Sequence, residues 1–524
     1  MKRKLLIIAP LAILLIATGC KKSFLDVPAQ GQIDEAAVLK DPAAAKNLVT
    51  GVYNSLYQGG FGPTTLGFLY FVTVEEASDD ADPGSIPGDN AGGEKIDGFT
   101  ADGNVFYFDN LWKGYYGGIN QANKALNILD KATFDATAIK RLKGEVSYLR
   151  GFYYFNLVRL FGGVPKIVAV PAVSEFQSDV FVTRVSKDEI YTLITSDLQY
   201  AVDNLPVKDI GSTDGLANVG RATKGAAEGL LAKVYMYQKN WQKVYDLTTD
   251  VIGSGLYALV KNKADTLTDF NIIFREKGSG NVGGNNNSES VFEVQTGVNV
   301  GENAVSPLYS NGQGPRGKGG WDDLGFGWNT PSADLANAYE AKDTRKAGTI
   351  IFIQPTVAPG VGVNTGTILW DGFRIPTQDS VVNQRYNYKG YSSVSAESPQ
   401  ISGSKDTKPK NIRVMRYPEI LLMNAEASVQ LGKAGEATTL VNIVRNRAGL
   451  ASLATAGIND VWKERRAELA MEQDRFFDLV RQGRAGTVLR ALGKPFVDGK
   501  HELFPIPQAE IDLSNGKLVQ NPGY

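Results

Sequence analysis

Two blocks of amphipathic helical sequence, held apart by a long stretch with no helical period, limit what this chain can fold into. From Leu111 to Lys131, Trp112, Tyr116, Ile119, Asn120, Asn123 and Leu126 recur at three- and four-residue spacing, as on a helix with one buried face. Ile139, Leu142, Val146, Leu149, Tyr153, Leu157 and Leu160 form a second stripe, which stops at Gly162-Gly163 before Pro165. Ser186-Lys187-Asp188-Glu189 is a capping box opening a run to Leu205. Thr223 to Lys239 and Trp241 to Ile252, parted at Asn240, read as an αα-hairpin with small Ala and Gly at the crossing. A second hairpin runs from Tyr417 to Leu431, turns at Gly432 and continues from Glu436 to Arg447. One further helix is expected from about Asn459 to Val480, ending near Gly483. The expected fold is mostly α. Its pairs are tetratricopeptide-like or, since their period is irregular, members of a plain helical bundle.

Between the blocks, residues 254–415 contain Gly278-Ser279-Gly280, Gly283-Gly284-Asn285-Asn286-Asn287 and the Gly312 to Gly320 stretch, with short β-like runs such as Val291 to Val294. Residues 59–108 look similar. Loops this long in a compact protein are functional or disordered, and the rings embedded in these favour function. The expected organisation is a single body over residues 20–524. It has an N-terminal part at 20–250, a loop-rich insert at 254–415 and a C-terminal helical part at 416–524.

Charge and cysteine content exclude several function classes. With 55 basic and 56 acidic residues, the chain has no basic excess to grip a nucleic-acid backbone. One Cys and one His rule out Cys/His zinc clusters and a disulfide framework. The Cys occupies an informative place. Met1-Lys2-Arg3-Lys4 is a positive leader, and the apolar run Leu5 to Ala17 is shorter than the ~20 residues a bilayer span needs, so residues 1–19 read as a removable signal. The run ends in Ile16-Ala17-Thr18-Gly19-Cys20, which resembles a bacterial lipobox, and implies that Cys20 is acylated and becomes the new N-terminus. Cleavage would delete three basic residues and no acid, leaving a charge near −4 on a body tethered by lipid.

An ordered series of motifs carries a more specific resemblance. Phe24-Leu25-Asp26-Val27-Pro28 follows the Cys, and the chain closes on Leu518-Val519-Gln520-Asn521-Pro522-Gly523-Tyr524. Between them stand the segments Arg416 to Ala427, Val441 to Leu450 and Glu464-Arg465-Arg466-Ala467-Glu468-Leu469. Asp474-Arg475-Phe476-Phe477-Asp478-Leu479 and Phe504-Pro505-Ile506-Pro507, with Glu510-Ile511, complete the series. In this order the set resembles the SusD/RagB family of outer-membrane nutrient-binding lipoproteins of Bacteroidetes. The resemblance implies four tetratricopeptide-like helical pairs under a loop-rich half. It also implies surface display beside a TonB-dependent SusC-like transporter, a glycan as the usual ligand, no catalysis and no cofactor. Lys21-Lys22 depart from the acidic or polar residues that often follow the family's Cys. Part of the family is associated with peptide uptake, which leaves a peptide ligand as the alternative. A surface glycoside hydrolase is the third.

The individual residues divide into structural and ligand-facing candidates. Glu464, Glu468 and Glu472 repeat at one-turn spacing beside Arg465, Arg466 and Arg475, and are expected to pair with arginines that hold helices together. Phe476-Phe477 and Trp112 are expected in the core, and His501 at the surface. A Ser-His-Asp triad needs only one His, but no Gly-x-Ser-x-Gly elbow accompanies it. Asp79, Asp80, Asp82 and Asp89 are weak calcium candidates whose spacing fails the EF-hand template. Sugar recognition needs flat apolar faces for the C–H side of a pyranose and planar polar groups for its hydroxyls. Two loop segments offer both. Phe61, Phe68 and Asp80 lie in residues 59–108; Tyr309, Arg316, Trp321, Phe326 and Trp328 lie in residues 306–330, with Trp328 in what looks like a structural family motif. Trp321, flanked by glycines, is the leading candidate.

Overall fold

The computed structural model describes residues 38–524 except 57–59, 176–177, 209–218, 281, 297–307, 320, 322, 398–407 and 409. The signal, Cys20 and the Phe24 to Pro28 motif lie outside the described residues. Eight helices form the scaffold: α1 (Phe106–Leu129), α2 (Ala136–Phe161), α3 (Lys187–Asn204), α4 (Lys224–Tyr237), α5 (Trp241–Gly253), α6 (Tyr417–Gln430), α7 (Ala434–Arg447) and α8 (Ile458–Leu469). Each of the first seven packs against the next in chain order, and α8 also lies on α6, so the pairs stack as repeats rather than close into a bundle.

Local chemistry sets the helix ends. Side-chain oxygens of Asp135, Ser186, Thr223 and Asn240 accept hydrogen bonds from free backbone N–H groups of α2, α3, α4 and α5. Gly162 ends α2 at φ 78°, a left-handed conformation that costs glycine nothing. Close crossing needs small residues. A Cβ on Gly118 of α1 would lie 2.7 Å from the Tyr153 ring of α2, inside contact distance. The main core runs along this stack through Tyr115, Ile119, Leu149, Tyr153, Ile194, Leu231 and Val244, all fully buried.

Among the described residues, eight short strands, all in antiparallel pairs, organise the rest: β1 (Ala81–Gly84), β2 (Ser290–Val294), β3 (Trp328–Pro331), β4 (Ile350–Phe352), β5 (Thr367–Ile368), β6 (Arg374–Ile375), β7 (Arg385–Asn387) and β8 (Ile412–Arg416). β2 pairs with β8, closing the excursion between α5 and α6 so that α6 resumes the stack directly on α5. β1 pairs with β3, Ala81 opposite Pro331 and Gly84 opposite Trp328, so the two loop segments picked out by sequence meet. Residues 59–108 are more ordered than expected of a loop, because Phe68–Glu76 forms a helix buried on every side.

The expected helix from Asn459 to Val480 is instead broken. α8 ends at Leu469 and a separate helix covers Arg475–Arg481, with Met471 and Gln473 at positive φ (64° and 71°) between them. The break lets Glu472 turn back onto Arg416 (2.6 Å) and Lys389 (2.7 Å), while the Gln473 N–H donates to Glu75. These partners offset the strain of two non-glycine residues in the left-handed region.

The C-terminal charges pair inside the protein, as their spacing implied. Glu468 is fully buried and accepts from Arg416 (3.0 Å), Arg345 (3.3 Å) and Arg447 (2.5 Å). Arg416 and Arg447 also share Glu289 beside β2. A second cluster joins Arg465 to Glu419 and Asp478, both at 2.7 Å, and Asp474 to Arg159 at 3.0 Å and to Lys233. The Arg159 guanidinium also lies between the Phe155 and Phe477 rings, at 4.5 and 4.2 Å. Phe476, Phe477 and Trp112 are in the core as expected. His501 is not at the surface. It is 5% exposed among Phe99, Phe496 and Tyr524, and its Nδ1 accepts from the Val497 N–H.

Two stability predictions follow from these charges. Burial alone would raise the Glu468 carboxyl, but three arginines hold it well below its ordinary 4.5. Its contribution is therefore present above that ordinary value and lost as pH falls below it. Denaturant midpoints measured by circular dichroism should drop steeply below about pH 4.5, and Glu468→Gln should remove ~3–5 kcal/mol at neutral pH by taking away the one carboxylate that three buried arginines share. Burial, and then the Lys500 charge, lower His501 from 6.5 to about 4. The folded protein thus resists protonation that the unfolded chain accepts. Stability should decline as pH falls from 6.5 towards 4, and His501→Phe should flatten that slope.

Candidate functional site

The loop segments converge because the chain on either side of β1 and β3 is anchored. At the end of the Phe68–Glu76 helix, burial pushes the Glu76 carboxyl well above its ordinary range. Glu76 accepts from Asn90 Nδ2 at 2.9 and 3.1 Å, and Asn90 Oδ1 accepts from the Tyr107 hydroxyl at 2.8 Å. This chain fixes the turn Ser85 to Asp89, which enters from β1 through Gly84 at φ 72°. There the two backbones nearly touch, since a Cβ on Gly84 would lie 2.2 Å from the Gly327 carbonyl. On the other side, Asn383 Oδ1 accepts from the Ser85 N–H at 3.0 Å.

A ring stack and an ion pair result, side by side. Phe61 and Phe326 lie nearly parallel, with centroids 6.2 Å apart and planes at 24°, and Trp328 stands edge-on to Phe61 at 6.0 Å. Phe68, fully buried, supports the stack from below at 5.1 Å from Phe61 and 5.0 Å from Trp328. Phe61 is 46% exposed, so the stack presents an apolar face to solvent. Beside it, Arg316 Nη1 donates to Ser85 Oγ (2.7 Å), to Asp89 and to the Phe326 carbonyl (3.4 Å). Trp328 Nε1 donates to the same Asp89 oxygen at 2.8 Å. Burial works against the Asp89 charge, but Trp328, Ser85 and Arg316 together hold its carboxyl below the ordinary range, so it stays ionised. Arg316 Nε and Nη2 and Asp89 Oδ1 make no hydrogen bond among the described residues, which leaves planar donors and an acceptor beside exposed rings.

The sequence candidates separate on these grounds. Phe61, Phe326 and Arg316 come together in one place. Trp321 is half-buried beside Gly317, one residue after Arg316, and packs against the Ile351–Ile375–Val381 cluster, so it covers that cluster as well as reaching solvent. Two candidates are corrected. Asp80 is fully buried and bonds Arg466 at 2.7 Å, where no ligand can displace solvent from it. Tyr309 is 6% exposed and packs on Phe71 at 5.3 Å, because the Tyr309–Gln313 helix turns inward. Three of the four calcium candidates are likewise committed to protein cations, Asp79 to Arg475 (2.6 Å), Asp80 to Arg466 and Asp89 to Arg316, while the half-exposed Asp82 lies 4.0 Å from Arg385. Among the described residues no group of three or more His, Cys, Asp and Glu is placed to hold a metal. Ser85, the pairing role of Asp89, and Asn383 were missed by sequence reasoning. Each gains its place from contacts more than two hundred residues apart, which leave no local signal. Trp112 and Tyr116 border a separate cavity of ~490 Å³ on the helical side.

Comparison with known proteins agrees with this architecture. Residues 288–524 match the model of the SusD family, and residues 75–236 match one described as starch-binding associating with outer membrane. SusD-like protein P2 of Formosa agariphila is 25% identical over 98% of both chains. A SusD-like protein of Bacteroides ovatus is 24% identical over 92% of this chain and 82% of its own. A laminarin-binding SusD-like protein of known structure is 28% identical, with TM-score 0.74 over 93% of this chain and 100% of its own. Surface glycan-binding protein A from Bacteroides thetaiotaomicron, solved with laminarihexaose, shares the fold at 22% identity and TM-score 0.74, covering 92% and 99% of the two chains.

Stability should separate the exposed residues from the structural ones. Phe61→Ala should change the unfolding free energy by no more than about 0.5 kcal/mol, as a half-exposed loop position does. Asp80→Ala should cost ~1–3 kcal/mol by removing one of three acid partners of Arg466, which keeps Asp79 (3.1 Å) and Asp334 (2.6 Å), read from urea unfolding.

Proposed function

The chain belongs to the SusD family, and from that premise we propose that it captures an oligosaccharide at the outer-membrane surface and hands it to a SusC-like TonB-dependent transporter without chemistry. One observation carries the proposal. Two segments far apart in sequence meet to set an exposed ring stack, Phe61 over Phe326, beside the fixed polar edge of Arg316 and Asp89. The apolar face suits the C–H side of a pyranose, and the planar groups suit its hydroxyls. The relative named as laminarin-binding, matched over its whole length, supports a glycan as the ligand class. Acylation at Cys20 would supply the tether. No helix among the described residues is long and apolar enough to cross a membrane.

In this mechanism the bound sugar lies on the Phe61 side of the stack, with Arg316 and Asp89 at its hydroxyls, and Trp321 flanks the approach. Because Asp89 is ionised and already paired, the edge presents directional hydrogen bonds without a net charge, which favours a neutral polyol over an ion. Binding is reversible, and release into the transporter needs no bond to break.

Calorimetry of residues 21–524 against a glycan array, with laminarin as the first probe, tests this. Saturable binding is expected to one polysaccharide class, which remains intact. Phe61→Ala and Arg316→Ala should each weaken it at least about tenfold, equal to ~1.4 kcal/mol, while the melting temperature holds. Trp321→Ala is expected to weaken it less. Undiminished binding in all three variants would move the site elsewhere, and no binding to any glycan would overturn the saccharide assignment in favour of a peptide ligand.

A further inference from the structure

On the helical side, away from the loops, α1, α2 and α3 enclose a second cavity of ~490 Å³, within the size range of small-ligand sites. Its floor is one face of α2, carrying Lys143, Ser147 and Arg150, and its walls include Asn123 and Asn127 of α1 and Asp197 and Tyr200 of α3. The polar groups are already fixed. Arg150 donates Nε and Nη2 to the two Asp197 oxygens at 2.8 and 2.7 Å, and Nη1 to Asn123 Oδ1 at 3.0 Å. Asn123 is itself held by donating to the Ile167 carbonyl at 3.0 Å. Lys143 is paired with Asp130 at 2.5 Å and lies 5.8 Å from the Tyr200 ring centre.

Three features exceed what an interhelical clamp needs. Arg150 has five N–H groups and uses three, so two remain for a ligand among the described residues. The Ser147 hydroxyl, on a residue only 5% exposed, makes no hydrogen bond to any described residue. The half-buried Tyr200 ring supplies a flat wall. The charges cancel, since Lys143 and Arg150 face Asp130 and Asp197, so nothing selects an anion or a cation. An apolar occupant would strip water from Arg150, Asp197 and Ser147 and return no hydrogen bonds, which is costly. A neutral chain rich in hydroxyls meets these polar groups, and its C–H faces suit Leu126, Val168 and Val170, which also line the cavity.

We propose that this cavity is a second binding site, for a short uncharged oligosaccharide, built into the helical scaffold and independent of the loop site. The choice of saccharide rests on the glycan function proposed above; the location does not. The site would let one protein hold a polysaccharide at two points, which raises retention through effective concentration.

Isothermal titration of the full mature chain with laminarihexaose, maltohexaose, cellohexaose and xylohexaose, in wild type and three variants, decides it. Wild type should bind at least one of these at two sites. Phe61→Ala should leave a single weaker site. Tyr200→Ala with Asn127→Ala should remove that weaker site, lowering its affinity at least fivefold with an unchanged melting temperature, and keep the Phe61-dependent one. All three changes together should abolish binding. One-site binding that depends on Phe61 and ignores Tyr200 and Asn127 would overturn the second site alone. One-site binding that depends on Tyr200 and Asn127 and ignores Phe61 would support it and overturn the loop site. No binding to any of the four probes would overturn both.

Discussion

Glu468 sits where three arginines from three parts of the chain meet, and much of the structure depends on that arrangement. Arg345 comes from the insert, Arg416 from the end of β8 and Arg447 from the end of α7. Glu289, beside β2, closes the group by sharing Arg416 and Arg447. A carboxylate at this depth is stable only if several cations surround it, and buried guanidinium groups need acceptors just as much. Neither the scaffold nor the insert can therefore leave the other without stranding charge. The break after α8 serves the same end, because a continuous helix would carry Glu472 away from Arg416 and Lys389.

The proposed loop site inherits its rigidity from this base. Asp79 and Asp80 pair with Arg475 and Arg466, just beyond and within the same C-terminal helices, and they immediately precede β1. β1 in turn pairs with β3, which begins at Trp328, two residues after Phe326. Each link from the buried charges to the exposed Phe61–Phe326 face is short and hydrogen-bonded. A preformed apolar face and a prepaired polar edge lose little conformational freedom when a flexible sugar arrives. The cavity between α1, α2 and α3 follows the same design on a different foundation, with Arg150 clamped between Asp197 and Asn123.

The acidic segment 79–89 shows how similar residues separate in a fold. As sequence, Asp79, Asp80, Asp82 and Asp89 form one acidic run with a cation-binding look. In the structure Asp79 and Asp80 are fully enclosed ion-pair partners, whereas Asp89 is partly open and holds Arg316. The difference lies in what crosses above each residue, which is set by elements hundreds of positions away. Phe61 and Tyr309 exchange prospects for the same reason. Both are rings in glycine-rich stretches, yet one reaches solvent and the other packs on Phe71.

By itself, the sequence determined most of the scaffold helices, their caps and the family. Apolar spacing and capping side chains act within a few residues, so the stripe through Leu149 and Tyr153 and the Ser186 cap could be read directly, as could the pairing of the C-terminal acids with arginines, although the arginines that Glu468 meets, Arg345, Arg416 and Arg447, come from elsewhere in the chain. The ordered motifs from Arg416 onward carried the family resemblance, and in this chain they also supply the buried charges Arg416, Arg447, Arg465 and Glu468. Only the tertiary structure decided which loop residues face a ligand. That outcome depends on β1 meeting β3 across about 250 residues, on His501 being enclosed by rings from three segments, and on the helix break at Met471 to Asp474. Such contacts are chosen by the global balance of burial and charge pairing, and the local pattern of residues carries no record of it.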